Sequence, residues 1–212
     1  MMTSSLSKAE HFSAQLTSIV LHPLFIPCWT LIIMLRNSNF TSFEVPVQSQ
    51  LTLIALVLTI TFVLPALMIF LMYRIRMISS LTLQLRRERP APILITAIFF
   101  YLTYYLLKQL NIAPVFSFYM LGGTILGLIS LFITVYWKVS LHMLALGGST
   151  AAIVCFAWIL EKPMLPAITG MVLASGLTGF ARLRLGAHHP LQIYGGYAIG
   201  YGIITILYLI VL

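Results

Sequence analysis

Residues 113–137 read APVFSFYMLGGTILGLISLFITVYW, a run of 25 residues without a charged side chain. Such a run is long enough to cross the hydrocarbon core of a bilayer as one helix, which takes about 20 apolar residues. It is typical of a chain in which 60% of the residues are hydrophobic, 8% are charged and the mean hydropathy is +1.03. Because a soluble domain carries about 25% charged residues, the composition predicts a membrane protein.

Apolar stretches of spanning length recur along the chain. They fall at 17–35, 51–73, 91–110, 113–137, 141–160, 165–183 and 190–212. We therefore predict an all-α, polytopic membrane bundle of about seven transmembrane helices, with a polar segment over 1–16 and one membrane-embedded domain over 17–212. The turn Asn111-Ile112-Ala113-Pro114 is the weakest division, and a re-entrant pair there would leave five spans.

Three short clusters combine cations, a hydroxyl and imidazoles. They are Arg86-Arg87-Glu88-Arg89-Pro90, then Ser140-Leu141-His142, and finally Arg182 with His188 and Gln192. With seven spans they fall in alternate loops, which places all three on one side of the membrane. Groups of this kind can hold a phosphate and break its ester bond without a metal.

Carboxylates are too few for a metal cage. The chain has no aspartate, and its four glutamates are scattered. A magnesium site built from several acidic groups is therefore not expected. Cys28 and Cys155 lie in apolar runs without further ligands at zinc spacing, so we predict two buried thiols. We expect no metal and no other cofactor, and we expect histidine side chains to carry out any catalysis.

Each cluster also has a purely structural interpretation. Ser140 precedes an apolar run, where its hydroxyl could cap a helix whose N–H groups bind an anion. His142 is either an acid beside that anion or an interfacial histidine bonded to a backbone carbonyl. Gln192 can reach back to the N–H of the capping residue, or accept a bond from His188 and select its tautomer. The arginines are either ordinary surface cations or a phosphate clamp.

The order of these groups resembles the signature of the type-2 phosphatidic acid phosphatase superfamily. The matching elements are Arg89-Pro90, Ser140-x-His142 and Arg182-x5-His188-x3-Gln192. Members of that family are metal-independent helical phosphatases related to vanadium haloperoxidases. The resemblance covers roughly residues 82 to 192 and is moderately specific as a whole.

The resemblance implies a role for each matching residue. His188 would be the nucleophile that becomes phosphohistidine, and His142 would protonate the leaving group. Arg89, Ser140 and Arg182 would hold the phosphate. All of these roles are expectations from the family.

The sequence departs from the family pattern at two important positions. Thr82 stands where the family has a lysine, so Arg86 or Arg87 would have to supply that cation. Gln192 stands where the family has the aspartate that orients the nucleophile, and an amide cannot stabilise an imidazolium by charge. Glu88 is the only carboxylate in the clusters that could replace it.

Two functions stay open. The first is an integral-membrane phosphatase that hydrolyses a lipid phosphate or diphosphate. The second is a catalytically weak or inactive relative that binds or translocates a phospholipid or polyprenyl phosphate. Either way we expect a lipid bilayer and a lipid phosphate as partners and no nucleic acid, since the net charge of +8 is explained by cations at membrane boundaries. We expect a multi-pass protein of the inner or plasma membrane; the charge distribution favours a cytoplasmic site and the resemblance an external one.

Overall fold

The computed structural model describes residues 7–37, 45–83 and 85–211, and every regular element in these ranges is helical. The α-helices are α1 (Lys8–Val20), α2 (Ile26–Asn37), α3 (Val47–Leu58), α4 (Leu64–Arg74), α5 (Pro90–Gln109), α6 (Pro114–Tyr136), α7 (Leu141–Ile159), α8 (Leu165–Arg184) and α9 (Pro190–Val211). A π-helical turn over Thr59–Val63 joins α3 to α4, and a 3-10 turn over Arg86–Glu88 precedes α5. The predicted all-α class is confirmed.

Five helical segments in the described ranges are long and apolar enough to cross a membrane. They are Gln48–Arg74, which runs through α3 and α4, then Arg86–Gln109, Pro114–Tyr136, Leu141–Ile159 and Pro190–Val211. This architecture fits a multi-pass integral membrane protein. The predicted number of about seven spans is not confirmed, because the apolar runs at 17–35 and 165–183 give no candidate span.

The two missing spans have different causes. In the first run, α1 ends at Val20 and the ring of Pro23 has no N–H to continue a helix, so two short helices of 13 and 12 residues form. The predicted boundary after residue 16 falls inside α1, which begins with a capping box of Ser7 and Glu10. In the second run, α8 has 20 residues, but its glycines, hydroxyls and two terminal arginines lower its hydropathy.

The turn predicted at residues 111–114 is present between two full helices. α5 ends at Gln109, Asn111 adopts a φ of 53°, and α6 begins at Pro114. An asparagine tolerates this left-handed conformation better than most residues, and proline is suited to the first helical position. Both flanking helices are long and apolar enough to be candidate spans.

α7 lies at the centre of the bundle and packs closely on α9. Of its apolar stretch, 72% is buried, whereas the other candidate spans reach at most 39%. A methyl group added at Gly147 would collide with the main chain of Tyr197, and one added at Gly200 would collide with the main chain of Leu144. The two backbones therefore touch because glycine stands at the crossing.

Hydrogen bonds tie the three predicted clusters together at one end of the bundle. Arg86 Nη1 donates to the carbonyl of Tyr136, and Arg89 Nη1 donates to the carbonyl of Val139. The N–H of Ser140 donates to the carbonyl of Gln192. The segments before α5, α7 and α9 are thus neighbours, as the alternate-loop argument predicted.

Candidate functional site

A cavity of about 1040 Å³ opens among the helices at this end of the bundle. Four of the five histidines of the chain line it, together with three cations. These residues are His11, His22, His142, His188, Arg89, Lys138 and Arg182. No carboxylate lines the cavity within the described residues, so its polar end is strongly cationic.

Arg89 is held rigidly at the wall of the cavity. Only 4% of its surface is exposed, and its Nε donates to the carbonyl of Leu83 over 3.1 Å while its Nη1 donates to that of Val139 over 3.0 Å. Both partners are neutral main-chain groups. The positive charge is therefore oriented without being neutralised, which suits an anion-binding side chain.

Arg182 and Lys138 add two further cations to the same space. Burial lowers the pKa of Arg182, and its Nε has no hydrogen-bond partner within the described ranges. Burial also lowers the pKa of Lys138, and the charges of Arg89 and Arg182 act in the same direction. Mutual repulsion of this kind would be relieved by a bound anion.

His188 is oriented by Gln192 as one of the two sequence interpretations predicted. Its Nδ1 donates to Oε1 of Gln192 over 3.0 Å, since an amide oxygen can only accept. The same oxygen accepts the N–H of His189 over 3.2 Å, so the predicted capping bond is present as well. Nε2 of His188 is left with its lone pair, which is the form a nucleophile requires.

The imidazole of His188 is neutral at physiological pH. Burial lowers its pKa to about 4; the charges of Arg182, Arg89 and Lys138 act in the same direction, and the bond to Gln192 opposes them. Only 6% of the residue is exposed.

His142 lies in the first turn of α7 and is bonded to a backbone carbonyl, as its structural interpretation predicted. Its Nε2 lies 3.1 Å from the carbonyl oxygen of Ser18 in α1. Because a carbonyl only accepts, Nε2 carries the hydrogen, and Nδ1 is the nitrogen left for the cavity.

Ser140 stands at the N-cap of α7, but its hydroxyl does not make the predicted capping bond. The residue is fully buried, and Oγ has no partner within the described part of the chain. It is also not among the residues that line the cavity. The main-chain bond from Ser140 to Gln192 positions this segment instead.

Arg86 and Arg87 are not brought to the cavity. Arg86 is exposed and bonded to the carbonyl of Tyr136, and Arg87 lines a separate small pocket beside Met72 and Pro90. The bond to Tyr136 holds the guanidinium of Arg86 outside the cavity, and Arg87, the next residue of the turn, points in a different direction from Arg86. Their expected place as phosphate-binding cations is not supported by this arrangement.

Glu88 and Thr82 have partners other than the predicted catalytic residues. Oε2 of Glu88 accepts the N–H and the hydroxyl of Ser79 over 3.1 and 3.0 Å. It therefore does not reach His188. Thr82 lines the cavity and its hydroxyl lies 2.7 Å from that of Ser80, so it supplies no charge.

Three titratable cavity residues, His11, His22 and Lys138, lie outside the site predicted from the sequence. His22 precedes Pro23 inside an apolar run, and Lys138 stands two residues before Ser140. A histidine before a helix-breaking proline is a usable signal, since that pair ends a helix and leaves the imidazole at its end. Lys138 could have been found from its place next to the second cluster.

The described residues contain no group of three or more histidine, cysteine or acidic side chains that could hold a metal ion. Cys28 and Cys155 are buried free thiols, as predicted. No protein family model, no characterised protein and no solved structure matches the chain.

Proposed function

We propose that the protein is an integral-membrane, metal-independent phosphatase of the inner or plasma membrane that hydrolyses a lipid phosphate or diphosphate. One observation carries this proposal. A neutral histidine with a free Nε2, His188, lines a cavity with Arg89, Arg182 and Lys138, and no carboxylate among the described residues neutralises them. Such a cavity attracts a phosphoryl group and offers it a nucleophile.

The shape of the cavity favours a lipid. From its cationic end the cavity extends along α5 and α6, where the apolar residues Ile93, Phe100, Met120 and Gly123 line it. From Arg89 to Phe100 this apolar arm descends 11 helical residues, roughly 16 Å at 1.5 Å per residue. That depth is about half of a ~30 Å hydrocarbon core, so a headgroup among the cations would place its chain within one leaflet.

The proposed reaction proceeds in two steps. Nε2 of His188 attacks phosphorus, the bond from phosphorus to the lipid oxygen breaks, and that oxygen takes up a proton. The resemblance gives the donor role to His142; because Nε2–H of His142 is bonded to the carbonyl of Ser18, this role requires a proton on Nδ1 before the step. Water then cleaves the phosphohistidine and releases phosphate. Arg89, Arg182 and Lys138 stabilise the charge on the transferred group, with Lys138 in the place first expected for Arg86 or Arg87.

A second candidate function is supported by Gln192. Its neutral amide orients His188 but does not stabilise the imidazolium of the phosphorylated state, and Glu88 is bonded to Ser79 instead. We therefore expect slow turnover. A protein that only binds or translocates a lipid phosphate would use the same cations and would not need a negative charge beside His188.

The decisive experiment is phosphate release by purified protein in detergent with chelator present, from phosphatidate, phosphatidylglycerophosphate and a polyprenyl diphosphate. We expect release from at least one lipid, its loss in His188→Ala, and retained lipid binding in that variant because the cations remain. His189→Ala is the matched control, since His189 is exposed and does not line the cavity. Activity that survived His188→Ala but vanished with chelator would refute the mechanism; no hydrolysis by the native protein would favour the binding function.

A further inference from the structure

His22 is held in a single orientation at the turn between α1 and α2. Its carbonyl accepts the N–H groups of Phe25 and Ile26 over 2.8 and 3.2 Å, and its own N–H donates to the carbonyl of Ile19 over 3.2 Å. Its Nδ1 lies 3.3 Å from the N–H of Leu24. A main-chain N–H can only donate, so Nδ1 is an acceptor and Nε2 carries the hydrogen of the neutral ring.

The ring of His22 belongs to the same cationic cavity. It meets the ring of His142 edge to face, with centroids 5.5 Å apart at 80°. Burial lowers the pKa of His22 to about 4, and the charge of Arg182 contributes. At physiological pH the side chain is therefore a neutral donor.

The two neighbouring imidazoles offer opposite polarity to a ligand. In His142, Nε2–H donates to the carbonyl of Ser18, so the lone pair of Nδ1 is left for a ligand. In His22, Nδ1 accepts the N–H of Leu24, so Nε2–H is left for a ligand. A phosphoryl oxygen accepts hydrogen bonds, so the N–H suits it and the lone pair repels it.

We propose that His22 is a phosphate-binding residue, whose Nε2–H donates a hydrogen bond to an oxygen of the bound phosphoryl group alongside Arg89 and Arg182. The inference rests on the proposed function, because the ligand is the phosphoryl group proposed there. It adds the turn between α1 and α2 to the site. This turn lies outside the three sequence clusters. Beside it, His142 holds α1 through its bond to the carbonyl of Ser18.

The test compares three substitutions of His22 in full-length protein in detergent. His22→Ala removes the donor, His22→Gln restores an amide N–H near the position of Nε2, and His22→Asn places its amide near Nδ1 instead. The readouts are the dissociation constant for inorganic phosphate from ligand-induced thermal stabilisation, and kcat and KM for a lipid phosphate. We expect His22→Ala and His22→Asn to weaken phosphate binding roughly tenfold or more, and His22→Gln to stay within about threefold of the native protein.

Controls and outcomes separate this inference from the proposed function. His189→Ala should leave phosphate binding unchanged. Native-like phosphate binding in His22→Ala, or equal losses in His22→Gln and His22→Asn, would overturn the role of His22 even if the protein is a phosphatase. If the native protein binds phosphate but hydrolyses no lipid, the binding series still decides the role of His22 while the proposed function fails. Should His22→Ala not fold, the comparison of glutamine with asparagine decides alone.

Discussion

Nδ1 of His188 donates to Oε1 of Gln192 across 3.0 Å, four residues along the chain at the start of α9. The bond selects the tautomer of the imidazole but brings no negative charge. A carboxylate at this position would both orient the imidazole and stabilise its positive charge. Gln192 does only the first.

This difference predicts the effect of a charge at position 192. Gln192→Glu keeps the length of the side chain, and Gln192→Asp supplies the shorter carboxylate found in the family that the sequence resembles. We expect either to raise the rate of phosphate release about tenfold or more if the fold is kept, because the imidazolium intermediate gains a counter-charge. Gln192→Leu, which removes the acceptor, should lower the rate. Equal rates in Gln192→Glu and Gln192→Leu would show that the bond has no catalytic role.

The apolar arm predicts selectivity for the lipid chain. Gly123 lines the arm, and a methyl group there would lie 3.5 Å from the ring of Phe100, an ordinary contact. A larger side chain, as in Gly123→Leu, should therefore fill the arm. Excluding two methylene groups from burial costs about 1.6 kcal/mol, or roughly tenfold in affinity for a long-chain lipid phosphate.

The same change should leave a short-chain phosphate within about twofold in a titration with both ligands. Gly176→Leu is the matched control, because that glycine is exposed on α8 with nothing within 4 Å of an added methyl group. An equal loss for both chain lengths would argue against the arm as the chain site.

The close crossing of α7 and α9 predicts that alanine substitutions at two glycines of α9 differ in their effect on stability. Gly200→Ala forces its methyl group against the main chain of Leu144, whereas Gly202→Ala meets nothing within 4 Å. We expect Gly200→Ala to destabilise the protein by roughly 1–3 kcal/mol. Gly202→Ala should be neutral or slightly stabilising, since alanine favours a helix. Melting temperatures in detergent measure both, and equal values would contradict the close crossing.

The buried histidines predict a loss of stability in acid. His22 and His188 have pKa values of about 4 in the folded protein, against an ordinary value of 6.5. Between these values the unfolded chain binds more protons, so the free energy of unfolding falls as the pH is lowered from about 6.5 to about 4, and is unaffected by these groups above that window.

Melting temperatures measured across this pH window provide the check. We expect His22→Gln to flatten the decline relative to the native protein, because one of the buried histidines with a lowered pKa is removed. His189→Ala is the control with an exposed histidine. A native-like slope in His22→Gln would show that His22 is not held neutral by the fold.

The fold class follows from local patterns that do not depend on tertiary contacts. Apolar runs near 20 residues require helices in a bilayer, and Asn111 with Pro114 marks a turn through its own backbone preferences. The number of spans was harder to predict. His22 and Pro23 divide an apolar run, and the polarity of α8 lies between that of a span and that of a surface helix.

The sequence by itself determined the helical class through the length of its apolar runs. The alternation of helices predicted the three clusters at one end, and the spacing of four residues on a helix predicted the local bond between His188 and Gln192. Only the tertiary structure decided which cations face the cavity: Arg89, Arg182 and Lys138 rather than Arg86 and Arg87. It also decided that α1 engages His142 and brings in His22. These contacts join residues more than a hundred positions apart, and their geometry depends on how helices pack, which no local pattern encodes.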